Sequence, residues 1–312
     1  MITEQQLKDR QKYLGSSDVA ALFTDENGHS LDPFKNAADV YVSKTQKLDE
    51  PKTSDAIERG IKLEPYLIEY ASRELGCEIE TQPDKINFVC KDHPIFAANL
   101  DGYTVSDTPS IVEAKTTGMC NEWGEPFTDQ VPFRVLLQVH QQMLCSGFKD
   151  AYVVVLMGKW GLREEIYHIE RNEEVVNAII KRGEQFWNEH VIPRVPPEKT
   201  LPMDTTILKR VTREPSSYAD VDESLVNAYI EAKDVAREAK RAKDHAFAEL
   251  LYALGDAEGV KLSDGREFIY LEEPAGKVID RNMLKVNYPD VYAKVATSST
   301  RKMPRIRKPK GE

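Results

Sequence analysis

Residues 151–157 read AYVVVLM, seven positions with no charged side chain. A strand with one wet face alternates apolar and polar residues, so a strand that does not alternate must be covered on both faces. That places 151–157 inside a sheet with a helical layer on each side. REEIYHIER, at 163–171, alternates and reads as its neighbour. VPFRVLLQVHQQMLCSGF, at 131–148, has Val135, Leu136, Val139 and Met143 at helical spacing and Gly147 as its stop. EEVVNAIIKRGEQFWNEHV, at 173–191, is a second amphipathic helix.

Upstream, EQQLKDRQKYLGSSDVAALF reads as a short helix, a turn at Gly15-Ser16 and a second helix, with Ser16 or Ser17 as its N-cap. SDAIERGIKLEPYLIEYASREL, at 54–75, carries Ile57, Ile61, Tyr66 or Leu67, Tyr70 and Ala71 at roughly helical spacing and ends at Gly76. Pro65 is expected to bend or divide it. Three strands are expected at Ile86–Val89, Ile95–Val105 and Ser110–Lys115, separated by turn residues. The order is helix, three strands, helix, strand, strand, helix. A meander followed by a crossover helix and a buried strand implies an α/β fold of the α+β kind, a mixed central sheet flanked by helices.

The proline-rich IPRVPPEKTLP, at 192–202, marks a boundary. Beyond it come a long Ala-, Lys- and Glu-rich helix at Val221–Leu254, a hairpin turning on Asp264-Gly265, and short helical pieces around Met283–Val295. The expected division is a core at 1–195, a linker at 196–220 and a small helix–hairpin extension at 221–312.

The 312 residues carry a net charge of −10, which argues against a protein that coats nucleic acid non-specifically. The charge is uneven, because the tail RKMPRIRKPKGE is basic and could touch a DNA backbone or simply remain solvated. No apolar run is long enough to span a bilayer and the N-terminus shows no signal-like segment, so the expected location is the cytoplasm, with no membrane partner. Cys77, Cys90, Cys120 and Cys145 form no CxxC pair, which speaks against a zinc ribbon or iron–sulfur site.

The stretch FAANLDGYTVSDTPSIVEAKTTG, at 96–118, holds the chemistry. With its strands paired antiparallel, Asp101 approaches Glu113, and Glu113 and Lys115 share a face because strand side chains alternate. Two carboxylates suit a hard divalent cation, and a lysine beside them suits the charge that develops in phosphoryl chemistry. Glu64 on the preceding helix could add a ligand for a second ion, and Gln138 on the following helix could hydrogen-bond phosphate or water. Each residue also has a plain reading. Asp before Gly is a turn residue, Glu-x-Lys a solvated pair, and a helix glutamine a surface residue. In the loop WGEPFTDQ, Trp123 and Phe127 could stack on bases or pack the loop.

LGSSDVAALF, RGIKLEPYLIEYA, FAANLDGYT, IVEAKTT and LLQVHQQMLCSG, taken together and in this order over residues 10–190, resemble the YqaJ-like viral recombinases. These are relatives of the phage lambda exonuclease within the PD-(D/E)XK nuclease superfamily. Leu100-Asp101 stands for the family's Pro-Asp, and His140 stands where many relatives carry a second glutamine. The resemblance implies a restriction-endonuclease-like core. It implies Asp101, Glu113 and the Ala114 carbonyl as metal ligands, Lys115 as the catalytic lysine, Glu64 in the second metal shell and Gln138 as the helix glutamine. Arg10 and Ser17 correspond to the pocket for a 5′ phosphate. The cofactor would be Mg²⁺, two ions per site, with Mn²⁺ able to substitute. The activity implied is 5′-to-3′ digestion of linear double-stranded DNA, leaving a 3′ single strand for a single-strand annealing protein, by a ring trimer in a bacterial or phage-infected cell. Alternatives are an endonuclease of the same superfamily and a non-catalytic DNA-binding recombination scaffold.

Overall fold

The apolar run at 151–157 lies inside a five-stranded sheet, with a helix against each face. The structure is a computed structural model and describes residues 11–49, 54–81, 88–158, 161–197, 200–203, 205–270 and 280–296. Its contacts divide the chain into two units, Met1–Arg213 and Glu214–Glu312.

In the first unit the elements run β1 (Leu14–Gly15), a 3-10 turn (Val19–Leu22), α1 (Ala37–Thr45), α2 (Asp55–Leu75), β2 (Ile79–Glu80), β3 (Phe88–Val89), β4 (Phe96–Ala98), β5 (Gly102–Thr104) and β6 (Ile111–Thr117). They continue with α3 (Phe133–Ser146), β7 (Asp150–Gly158), β8 (Leu162–Glu170), α4 (Glu173–Phe186) and α5 (Thr205–Arg210). The main sheet has the order β2-β5-β6-β7-β8, in which β6 and β7 are parallel and the other pairs antiparallel. The parallel pair requires a crossover, and α3 supplies it. This is the mixed sheet flanked by helices that the pattern implies. The first ten residues, where a short helix is expected to start, and the first two residues of the strand expected at 86–89 lie outside the described residues.

Side-chain alternation along β7 explains the run. Val154 and Leu156 pack on Leu67, Ile68 and Ala71 of α2, while Val153, Val155 and Met157 pack on Val135, Val139 and Met143 of α3. Both sets are removed from water, at about 1.5–3 kcal/mol for each fully buried aliphatic side chain. α3 is in turn covered on its far side, where Leu137 joins Leu14, Leu22, Phe96 and Phe186. It is therefore buried on nearly every side, which one apolar stripe does not foretell.

Four expectations change. The strand read at Ile95–Val105 is two strands: β4 belongs to a small sheet of order β1-β4-β3, β5 belongs to the main sheet, and Asn99, Leu100 and Asp101 pass between them. Pro65 does not divide α2, which runs unbroken from Asp55 to Leu75. The Ser54 hydroxyl caps the start, Gly76 at φ 65° closes the end, and the packed face from Leu67 onward holds the helix across the one missing donor. Ile57 and Ile61 stay exposed, so the core-facing stripe begins later than the spacing suggested. Finally, part of the interval 196–220 packs on the first unit. Ile207 and Val211 are buried, and Asp49 and Thr212 donate backbone hydrogen bonds to Arg210 and Lys47, each at 2.8 Å.

Gly102, at the start of β5, lies against β2. A Cβ there would sit 2.8 Å from Ile79 Cγ2 and 3.1 Å from the Glu80 carbonyl. Gly102→Ala is expected to cost about 1–3 kcal/mol by overpacking, seen as a thermal midpoint lower by several degrees. An unchanged midpoint would show that β2 gives way freely.

The second unit has α6 (Glu223–Leu254), whose Asp222 cap accepts from Ser224 N–H at 2.9 Å, and a hairpin of β9 (Gly259–Lys261) and β10 (Glu267–Ile269) turning through Gly265 at φ 86°. Phe247 and Tyr270 meet edge to face at 5.5 Å and tie hairpin to helix. The short helices α7 (Arg281–Asn287) and α8 (Pro289–Val295) follow. Among the described residues no helix is long and apolar enough to cross a membrane. The basic tail at 301–312 lies outside the described residues.

Candidate active site

β5 is only three residues long, and its pairing with β6 stops at Gly102 opposite Val112. Continuing that register would set Asp101 opposite Glu113. Instead the chain turns away to β4, and the Asp101 carboxylate takes the place of a neighbouring strand: its Oδ2 accepts the Ala114 N–H at 3.0 Å. The N–H and C=O of one strand residue point to the same side, so the Ala114 carbonyl also faces this notch.

Glu113 and Lys115 project from β6 toward α3. Glu113 is 3% exposed, and such a charge is tolerated only when it is hydrogen-bonded. Its Oε1 accepts from Lys115 Nζ at 2.5 Å and from Gln138 Nε2 at 2.6 Å, and its Oε2 accepts from Gln142 Nε2 at 2.6 Å. Lys115 also donates to Gln138 Oε1 at 3.0 Å, closing a ring of three side chains. Asp101, Glu113, Lys115 and Gln138 are thus brought together. Asp101 is strained electrostatically. Burial and the nearby Glu113 charge raise its carboxyl to about 7, with Glu64 adding in the same direction, against Lys115 and the Ala114 N–H, which lower it. Glu64 on α2 is therefore within electrostatic reach, although among the described residues no hydrogen bond joins it to Asp101, Glu113 or Lys115.

Among the described residues no three His, Cys, Asp or Glu side chains converge on one point as a closed metal cage would require. The donor set fits a different ion. Mg²⁺ takes one or two carboxylates and completes its shell with water and phosphate oxygens. A buried acid beside a half-buried one whose carboxyl is pushed up to about 7 is an arrangement that a divalent cation relieves.

Ser17, Lys115, Thr117, Arg134 and Gln138 line one cleft of about 310 Å³. Ser17 sits just ahead of the 3-10 turn, whose N-cap position is held by Asp18 rather than by Ser16 or Ser17. Behind it, Lys35 and Lys44 each approach the Asp18 carboxylate at 2.8 Å; burial would raise that carboxyl, but the two lysines hold it well below the usual range. Arg10 lies outside the described residues.

Residues 5–149 match the model of the YqaJ-like viral recombinase domain. The chain is similar to that family over this stretch. It is 24% identical over 306 residues to a Bacillus subtilis protein, "Uncharacterized protein YqaJ", covering 95% of this chain and 91% of that one. Among solved structures, an alkaline exonuclease from Laribacter hongkongensis aligns at 20% identity and a TM-score of 0.46 over 60% of this chain and 92% of its own, and the same protein has been solved with dAMP. A phage-related exonuclease from Haemophilus somnus aligns at 13% identity and a TM-score of 0.34 over 45% of this chain and 74% of its own.

Within the matched stretch, sequence reasoning overlooks Gln142. A helix glutamine reads as a surface residue, yet Gln141 and Gln142 are both 0% exposed. The available signal is spacing: Gln142 follows Gln138 by one helical turn and therefore shares its face. Gln141 points elsewhere, donating to the Leu14 and Ala97 carbonyls at 2.8 and 3.1 Å and so tying β1 and β4 to α3. His140 has a structural place. It accepts from Asn172 N–H through Nε2 at 3.1 Å, which leaves Nδ1 to donate to the Leu136 carbonyl at 2.8 Å, and burial lowers its pKa. Trp123 packs on Tyr167 at 5.1 Å and belongs to the loop packing, whereas Phe127 is 66% exposed with an unusual φ of 61°. The four cysteines are free thiols, and burial pushes Cys145 up to about 12, far from a thiolate.

Proposed function

We propose that this chain is a Mg²⁺-dependent exonuclease that digests one strand of linear double-stranded DNA from its 5′ end. The observation that carries this reading is the closed network of Glu113, Lys115 and Gln138 beside Asp101, at the mouth of a cleft that Ser17 also lines. Asp101, Glu113 and the Ala114 carbonyl would hold Mg²⁺, or Mn²⁺ in its place, and Glu64 would serve a second ion. Bound there, the metal supplies positive charge to the scissile phosphate and lowers the pKa of water.

The remaining chemistry belongs to the chain. Lys115 points its ammonium into the cleft and stabilises negative charge as it develops on the phosphate. Gln138 accepts from Lys115 and donates to Glu113, which fixes the ammonium without adding charge. Ser17, which lines the cleft, would receive the terminal 5′ phosphate, and Arg10 is the residue whose guanidinium suits such a dianion. The product would be a 3′ single-stranded tail for an annealing protein, and a ring trimer around DNA would make digestion processive.

The test is digestion of 5′-phosphorylated linear duplex and closed circular duplex with and without Mg²⁺. Linear DNA should disappear only with Mg²⁺ while the circle survives, and Arg10→Ala should weaken the preference for a 5′ phosphate. Cleaved circles would make the protein an endonuclease. Linear DNA that persists at high enzyme with Mg²⁺ overturns the reading.

A further inference from the structure

The single nitrogen of Gln142 reaches both segments that carry the acids. It donates to Glu113 Oε2 at 2.6 Å on β6 and to the Asn99 carbonyl at 3.2 Å, two residues ahead of Asp101. We propose that Gln142 is a positioning residue that sets the spacing and attitude of Asp101 and Glu113 for a divalent cation. The inference rests on the metal-dependent reading above.

Three features support it. Glu113 Oε1 already has two donors, but Gln142 is the side-chain donor to Oε2 among the described residues. Without it Oε2 loses the donor that fixes its direction, and the last torsion of the carboxylate, which is broad and twofold, is held from the Oε1 side alone. The donor is also neutral. A lysine at this place would bring a second cation to compete with the metal, whereas an amide orients the acid and leaves its charge available. Lastly, the arrangement is costly for packing alone, because Gln142 Oε1 is buried and accepts no hydrogen bond. An apolar side chain would fill the position without that orphan oxygen, so what the glutamine contributes is its two N–H bonds.

Gln141 provides an internal comparison. It is equally buried, and its Oε1 is equally unpartnered, but its nitrogen bonds only to the backbone of β1 and β4. Metal-free wild type, Gln142→Met, Gln142→Asn and Gln141→Met are titrated with Mn²⁺ by calorimetry, with thermal melting of each and kcat and KM on linear duplex. Gln142→Met should bind Mn²⁺ about 10–100-fold more weakly, the usual consequence of removing a residue that orients a metal ligand, with a lower kcat and an unchanged KM for DNA. Gln142→Asn retracts the amide while leaving a polar side chain, and should show the same loss if the Met variant fails to melt cooperatively. Gln141→Met should melt earlier and keep wild-type Mn²⁺ affinity. Gln142 variants that bind Mn²⁺ within about twofold of wild type overturn the inference alone, as does an equal loss in Gln141→Met. Wild-type protein that binds no Mn²⁺ overturns the inference together with the metal-dependent reading.

Discussion

Lys115→Ala should reduce cleavage of linear duplex by about a thousandfold or more while leaving Mn²⁺ affinity equal to or tighter than wild type. The two halves of this result have separate causes. Lys115 Nζ lies 2.5 Å from Glu113 Oε1 and 3.0 Å from Gln138 Oε1. Removing one preorganised charge aimed at a developing oxyanion costs about 10²–10³ in turnover, and a full cation in a half-buried cleft belongs at or above the upper end. Yet the same ammonium opposes any other cation near Glu113, and Asp101 is already lowered by it. Its loss leaves the site more negative, which favours a divalent ion. Glu113 keeps its bonds from Gln138 and Gln142, so the fold should survive. Activity that persists in Lys115→Ala would move the chemistry to another site. Joint loss of activity and metal affinity would assign Lys115 a structural place instead.

Asp101→Asn should make the metal-free protein more stable at pH 8 and abolish its stabilisation by Mg²⁺. The Asp101 carboxyl is raised from 3.8 to about 7 in the folded state, first by burial and next by Glu113. The folded protein therefore holds a proton that the unfolded chain has released. The ionised acid costs nothing below about pH 4; the cost grows as pH rises and is complete above about 7. On the scale of roughly 1.4 kcal/mol for each unit of pKa, it reaches a few kcal/mol. Calorimetric melts without metal should thus coincide for wild type and variant near pH 4, and the variant should melt several degrees higher at pH 8. Saturating Mg²⁺ should raise the wild-type midpoint at pH 8 and leave that of the variant unmoved. A midpoint difference independent of pH would show that Asp101 carries no such electrostatic penalty.

Much of this arrangement is legible from residue order. The unbroken apolar run at 151–157 requires two covering layers, and both are present. Period-two alternation puts Glu113 and Lys115 on one face wherever 111–117 is extended, and the structure places their side chains in contact. Gln142 escapes because a polar residue on an amphipathic helix is normally the wet side. Here α3 is wedged between the main sheet and the cluster around Leu14 and Phe96, so it has almost no wet side. The break between β4 and β5 escapes for a different reason. Asn99, Leu100 and Asp101 include no glycine or proline, and the change of sheet is imposed by β1 and β3, partners far away in sequence or across a turn. Pro65 misleads because local sequence shows only the cost of the proline, about 3 kcal/mol inside a helix. Burial of Leu67, Ile68 and Ala71 against the sheet offsets that cost, and it depends on strands far along the chain.

The short β5 has a practical consequence for mutational screening. Where the strand stops, the Asp101 side chain does the job of a missing backbone carbonyl by accepting the Ala114 N–H. Truncation to alanine therefore removes an acid and opens a rung of the ladder at once, and a dead Asp101→Ala protein would say nothing about which loss mattered. Asparagine keeps an oxygen for Ala114 and removes only the charge. At this one position the choice of replacement, rather than the assay, decides whether a knockout reports on chemistry or on folding.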